Sequence, residues 1–126
     1  MKIKNVNIGI KSVEEGLKEF AGVVNDARRG RFPKKPLVGV YFTSIEDMRK
    51  VLTVKRLELL HLIRELEPES IYQLARAAKR DLKNVQNDVA LLARIDLVQL
   101  SRSKTRRDRV IPRVGYDRLQ LQISMV

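Results

Sequence analysis

The chain has no cysteine and one histidine in 126 residues. Without thiols there are neither disulfides nor thiolate metal sites, and the lone His61 removes most zinc sets and most serine-type triads. Convergent carboxylates of the kind a metal-dependent nuclease needs are also wanting, because the acids fall at helix starts and at scattered surface positions. His61 sits inside a leucine-rich helical segment, away from any glycine-rich or acidic cluster. A packed or partly buried histidine is therefore expected, not a general base. No enzyme chemistry and no cofactor are expected. Aromatic residues make up only 5% of the chain, and near residues 70–94 Tyr72 alone looks exposed, too little for a single-strand stacking platform. No apolar run approaches the roughly 20 residues a membrane helix needs. Met1 to Gly9 alternates Lys and Asn with Ile and Val instead of building a signal core, so a soluble, cytoplasmic protein is expected. Internal repeats and low-complexity tracts are absent.

Positive charge is what the chain has in excess. Lys and Arg number 26 against 15 Asp and Glu, a formal charge of +11, which favours a polyanionic partner, nucleic acid ahead of an anionic membrane. Solubility alone requires less charge on so short a chain. The length suits one domain of ordinary size with no second independent core.

Residues 70–113 concentrate the functional signal. Leu74, Ala75, Ala78, Val85, Val89 and Leu92 recur at helical intervals with one break between Ala78 and Asp81, which predicts two short helices around a tight turn. With Val85 at zero and about 100° per residue, Val89 falls near 40° and Leu92 near 340°, while Lys83, Asn87, Ala90 and Arg94 gather at about 140° to 200°. Gln86 lies on the shoulder. Lys83, Gln86, Asn87 and Ala90 are groups suited to base edges: Asn87 and Gln86 can each make a bidentate contact to adenine, and Ala90 lets the helix approach the groove floor. Arg94, further along, suits phosphate. Asp81 has the chemistry of an N-cap for the second helix.

An apolar strand (Leu97, Val98, Gln99, Leu100), a basic connector (SRSKTRRD) and a second strand (Arg109, Val110, Ile111, Pro112) follow. From Leu97 to Pro112 five cations, Arg102, Lys104, Arg106, Arg107 and Arg109, stand against Asp108. A hairpin tip this basic suits phosphate or minor-groove contact. The whole reads as a winged helix-turn-helix bound to double-stranded DNA. An ordinary amphipathic helix pair would carry a similar polar face that is merely wet; the wing and the charge favour the DNA reader. RNA binding by the same shape, or a protein-interaction module, is the alternative, since phosphate affinity alone does not separate nucleic acids.

Elsewhere, Ile3, Val6, Ile8 and Ile10 predict a first strand. Ser12 and Glu15 have capping-box spacing ahead of a helix whose stripe is Val13, Leu17, Phe20, Val23, Val24 and Ala27. Arg28 to Lys35 (RRGRFPKK) reads as a basic loop, either a phosphate-contacting arm or a solvated connector. Leu37, Val38, Val40, Tyr41 and Phe42 predict a second strand that pairs with the first or covers the core, and Ser44 to Lys50 a brief capped helix. From Thr53, Leu57, Leu59, Leu60, Leu62, Ile63 and Leu66 surround nearly a whole helix, which must then be covered on two sides, one by the helix-turn-helix and the other by the amino-terminal segment or a second subunit. A homodimer is expected, because two half-sites raise affinity. Leu119, Leu121, Ile123 and Met125 alternate with Gln120, Gln122 and Ser124 in a terminal strand. It joins either the wing sheet or the amino-terminal strand of the same or another subunit. The expected fold is α+β, mainly helical: an amino-terminal strand-helix-strand extension over 1–43 for accessory contacts and dimerisation, and a winged helix-turn-helix over 44–126.

Leu74 and Ala75, then Val85, Val89, Leu92 and Asp96-Leu97-Val98, resemble the segment that runs from second helix to wing in MarR-like winged-helix regulators. The match covers roughly Ser44 to Ile123. More narrowly, YFTSIEDMRKVLTVKRLELLHLI with SIYQLARAAKRDLKNVQNDVALLARIDLV resembles a family of small prokaryotic regulators encoded beside toxin genes, frequently of the TumE kind, and regarded as type II antitoxins. That resemblance implies sequence-specific DNA binding, autorepression and neutralisation of a toxin protein. The chain departs from the pattern at Lys79-Arg80-Asp81, where a Gly and an apolar residue are common, and at Asp96, which replaces a Gly. Either Lys79 takes a positive φ or the turn differs; Asp at position 96 tolerates that region better than most residues.

Overall fold

A computed structural model describes residues 5–11, 13–30, 39–104 and 109–123, with the side chains of Val13, Glu19 and Val23 outside the description. Expectations placed on Ile3, Ser12, most of the basic segment after Gly30, Leu37, Val38, Arg106, Arg107, Ser124 and Met125 lie outside these residues. Five helices and five strands are described, a mixed α/β chain. It divides into two compact units, residues 1–50 with 118–126, and residues 51–117. The contacts thus place the boundary after Lys50 instead of after residue 43, and they assign the terminal strand to the amino-terminal unit.

The first unit is a three-stranded parallel sheet. β1 (Asn5–Ile10) lies centrally between β2 (Gly39–Phe42) and β5 (Arg118–Ile123). α1 (Val13–Arg28) links β1 to β2, the crossover that parallel neighbours require. α2 (Ile45–Val51) follows β2; the Ser44 hydroxyl accepts from the Asp47 amide at 3.1 Å, as its sequence suggested. Of the pairings left open for the terminal strand, the one found is with β1 of the same chain: Val6, Ile8 and Ile10 stand beside Leu119, Leu121 and Ile123. Ile8 and Ile10 also face Val40 and Phe42. Side chains alternate along a strand, so one sheet face is apolar throughout and the other carries Asn5, Asn7, Arg118, Gln120, Gln122 and Tyr41. Gly9 is required where it stands: a Cβ there would lie 2.6 Å from Tyr41 Cδ1, whose ring crosses it, and Lys11 Nζ sits 4.1 Å from the ring centroid.

Burial in this unit is thin. Among its described residues only Val6 and Ile8 are buried apolar side chains. Leu17 and Phe20, expected in a buried stripe on α1, are 64% and 67% exposed. Periodicity identifies the apolar side of a helix correctly but does not say whether anything covers it.

The second unit holds α3 (Val54–Leu66), α4 (Ile71–Ala78), α5 (Leu82–Arg94) and an antiparallel hairpin of β3 (Gln99–Arg102) and β4 (Val110–Arg113). α3 packs on α4 and α5, and β4 on α3 and α4. Leu59, Ile63, Leu74, Val85, Val89, Leu92 and Leu97 are almost fully buried between them. Thr53 caps α3 through its hydroxyl to the Arg56 amide, 3.3 Å. α3 is covered on one side only, because Leu57 and Leu66 stay largely exposed. His61 lies on that open side, exposed, 3.6 Å from the Glu65 carboxylate; the expected packed histidine is not found, since the apolar ring of side chains exceeds what the neighbouring helices can cover. After the hairpin, Arg64 donates to Val114 O at 3.3 Å and pairs with Asp117, and Tyr116 Oη donates to Leu97 O at 2.9 Å. Burial pushes the Tyr116 phenol up to about 12. No described helix is long and apolar enough to cross a membrane.

Candidate nucleic-acid interface

Two N-caps and one left-handed residue fix the α4–α5 geometry. Ser70 Oγ accepts from the Gln73 amide at 3.1 Å while Gln73 Oε1 accepts from the Glu69 amide at 3.0 Å. This reciprocal arrangement satisfies donors that a helix start leaves orphaned. α4 ends on Lys79, which takes φ 55 and ψ 45; of the two alternatives for this turn, positive φ is the one found. The Arg80 amide then donates to Ala75 O at 3.1 Å, closing the helix in the manner usually reserved for glycine. Asp81 starts α5 as expected, its carboxylate accepting from the Asn84 amide at 3.3 Å. The turn is therefore three residues long, and α5 leaves it at a fixed angle.

Val85, Val89 and Leu92 are buried on one side of α5, and Lys83, Gln86, Asn87, Ala90 and Arg94 are all exposed on the other. Five of the nine site residues proposed from sequence thus share one exposed helix face. Arg102 and Lys104 are exposed on the hairpin, where the Ser103 amide donates to Arg109 O at 2.9 Å and carries the ladder past β3. Arg106 and Arg107 lie outside the described residues. Asp96, after α5, has φ 63.

One feature of α5 was not anticipated. Asp88 is only 15% exposed, and its carboxylate is held by Arg56 Nε at 3.0 Å and Arg80 Nη2 at 2.7 Å. Arg56 Nη1 also donates to Val51 O at 2.8 Å. The triad ties the start of α3, the α4–α5 turn and the middle of α5 together. Burial raises the Asp88 pKa, but the hydrogen bonds and charges of the two arginines outweigh it and hold the carboxyl below its ordinary value. Arg80 Nη1 is buried without a hydrogen-bond partner, a desolvation cost that the ion pair must offset. A signal existed in the sequence: Asp88 falls at about 300° on the α5 wheel, beside the buried stripe, where an acid demands a cation.

Charge counting treats all cations alike, but the structure separates them. Arg56, Arg64, Arg80 and Arg113 hold the unit together; Arg113 Nη1 donates to Pro68 O at 2.7 Å and Pro112 O at 2.8 Å. Lys83, Arg94, Arg102 and Lys104 are exposed, as are Lys79 and Arg76. Arg76 lies 5.9 Å from the exposed Tyr72 ring on α4 and was not singled out from sequence. Among the described residues no group of three or more His, Asp and Glu is placed to hold a metal.

A family model described as HVO_A0114 matches residues 51–121, more than half of the chain. It spans the whole second unit and runs into β5. No curated protein and no solved structure matches the chain.

Proposed function

The chain belongs to the HVO_A0114 family, and we propose that the matched segment is a winged helix-turn-helix through which the protein binds specific double-stranded DNA as a transcriptional regulator. The observation that carries this reading is α5: a helix set by a three-residue capped turn, with its apolar side buried and Lys83, Gln86, Asn87 and Ala90 exposed together. In the major groove, Asn87 and Gln86 offer paired donor and acceptor groups to adenine and Lys83 offers a donor to guanine. Arg94, Arg102 and Lys104, with Arg106 and Arg107 from the sequence, neutralise flanking phosphates or enter the minor groove. A homodimer would place two such helices on two half-sites. Autorepression, and neutralisation of a toxin encoded nearby, are the roles that the resemblance to antitoxin-type regulators adds.

Fluorescence anisotropy with the duplex from immediately upstream of the gene, against scrambled duplex and duplex RNA over a salt series, tests the reading. Preference for the upstream duplex that persists as salt rises is expected. Asn87→Ala should lose roughly 1 to 3 kcal/mol on the preferred duplex and little on scrambled DNA, whereas Arg102→Ala should weaken both alike and lower the salt slope by about one. Equal loss on both duplexes for Asn87→Ala would remove α5 from base reading, and equal binding of RNA would favour the alternative partner. Co-purification with the product of a neighbouring toxin-like gene tests the antitoxin role.

A further inference from the structure

We propose that two copies of the chain join through the outer edge of β5, antiparallel about a two-fold axis at Leu121, so that two three-stranded sheets become one of six strands. β5 is an edge strand: β1 occupies one side of it and no described strand the other. Edge strands are usually blunted by a lysine, a proline or a bulge in their span. Apart from Arg118 at its start, β5 carries none of these and no charge, in a chain whose net charge of +11 opposes self-association elsewhere. The opposite edge, β2, is shorter at four residues and opens on Gly39.

The pattern of β5 is self-complementary over the whole of residues 119–123 in one register. With Leu121 on the axis, Leu121 faces Leu121, Leu119 faces Ile123 and Gln120 faces Gln122, so apolar meets apolar on one face and amide meets amide on the other. A two-fold at Gln120 leaves Ile123 opposite position 117, beyond the strand, and a slip of one residue sets Leu against Gln. The face that would be extended is the one carrying Val6, Ile8 and Ile10. Its outer row is open now: Leu121 is 50% and Ile123 45% exposed. A unit with so few buried apolar side chains gains most from a second copy, and an isologous contact closes at two. This interface supplies the surface for the homodimer of the proposed function and rests on that reading.

The absence of native cysteine makes the register directly readable. Facing residues of an antiparallel pair have Cα atoms about 5 Å apart, within disulfide reach, whereas two Leu119 positions would be about 14 Å apart. Under a mild oxidant the Leu121→Cys chain should cross-link to itself, and the Leu119→Cys chain should do so only when mixed with the Ile123→Cys chain. Light scattering of the native chain should give a dimer, and Leu121→Lys should weaken self-association at least tenfold. A native monomer, or self-cross-linking of Leu119→Cys as fast as Leu121→Cys, overturns the interface. So does a dimer unaffected by Leu121→Lys. A monomer that still prefers its upstream duplex overturns this interface and leaves the DNA reading standing; a β5-linked dimer without duplex preference does the reverse.

Discussion

The two units solve the same problem with opposite means. Residues 51–117 bury a run of leucines, isoleucine and valines from three helices and the segments flanking the hairpin, and seal the helices with caps and ion pairs. The sheet unit buries Val6 and Ile8 and leaves Leu17, Phe20, Leu121 and Ile123 partly or mostly in water. A family model spans the helical unit and reaches only β5 of the sheet unit. Dense packing fixes one geometry, as the proposed reading of base edges by α5 requires; open apolar surface on a small sheet suits the proposed self-association.

Core truncation should expose the contrast most strongly. Leu92→Ala removes a fully buried side chain in the last turn of α5 and should cost about 2 to 5 kcal/mol. Leu17→Ala, on the open face of α1, should stay within about 0.5 kcal/mol. Urea unfolding of the two variants measures both. Comparable losses would mean that the α1 face is covered in solution and that the two units are alike after all.

The next effect belongs to Asp88. Asp88→Asn removes the carboxylate charge that Arg56 and Arg80 share. It should cost about 3 kcal/mol, the low end for a buried pair because the side chains retain 15 to 22% of their surface. The folded-state pKa of Asp88 lies below its unfolded value, so the stabilisation is fully present above the unfolded pKa and is lost as pH falls through the folded one. The stability gap between native and variant should therefore hold from neutrality down to about pH 4 and close below it. A gap that closes near pH 6 would implicate another group. This sharpens the comparison: acid should loosen the helical unit through a defined contact.

How much of this was legible in advance follows the same division. In the helical unit, Val85, Val89 and Leu92 gave the buried face of α5 and Asp81 its start, and Lys79 narrowed the turn to two alternatives, because each is a local rule acting over four residues or fewer. Asp88 was overlooked although its angle placed it beside that stripe; its partner Arg56 is 32 positions away. In the sheet unit the strands were recognisable, but the pairing of Asn5–Ile10 with Arg118–Ile123 joins opposite ends of the sequence, and alternation alone does not select between partners. His61 and Leu17 failed for a third reason. Their apolar neighbours said which side of the helix was greasy, while burial depends on how much surface the rest of the unit supplies.

The smallest expected effect is the most discriminating for α5. Lys79 holds φ 55 without the freedom of glycine, at a cost of roughly 1 to 2 kcal/mol. Lys79→Gly removes that strain but gives the unfolded chain about 0.5 to 1 kcal/mol more entropy, so the variant should be more stable by at most about 1.5 kcal/mol, a rise of a few degrees in Tm. Lys79 is also an exposed cation at the turn before the proposed reading helix. If it touches phosphate, the stabilised variant should bind every duplex more weakly and lose about one unit of salt slope. If stability rises while the slope holds, the lysine stands off the DNA path, and the departure from glycine at this turn is tolerated strain with no binding role.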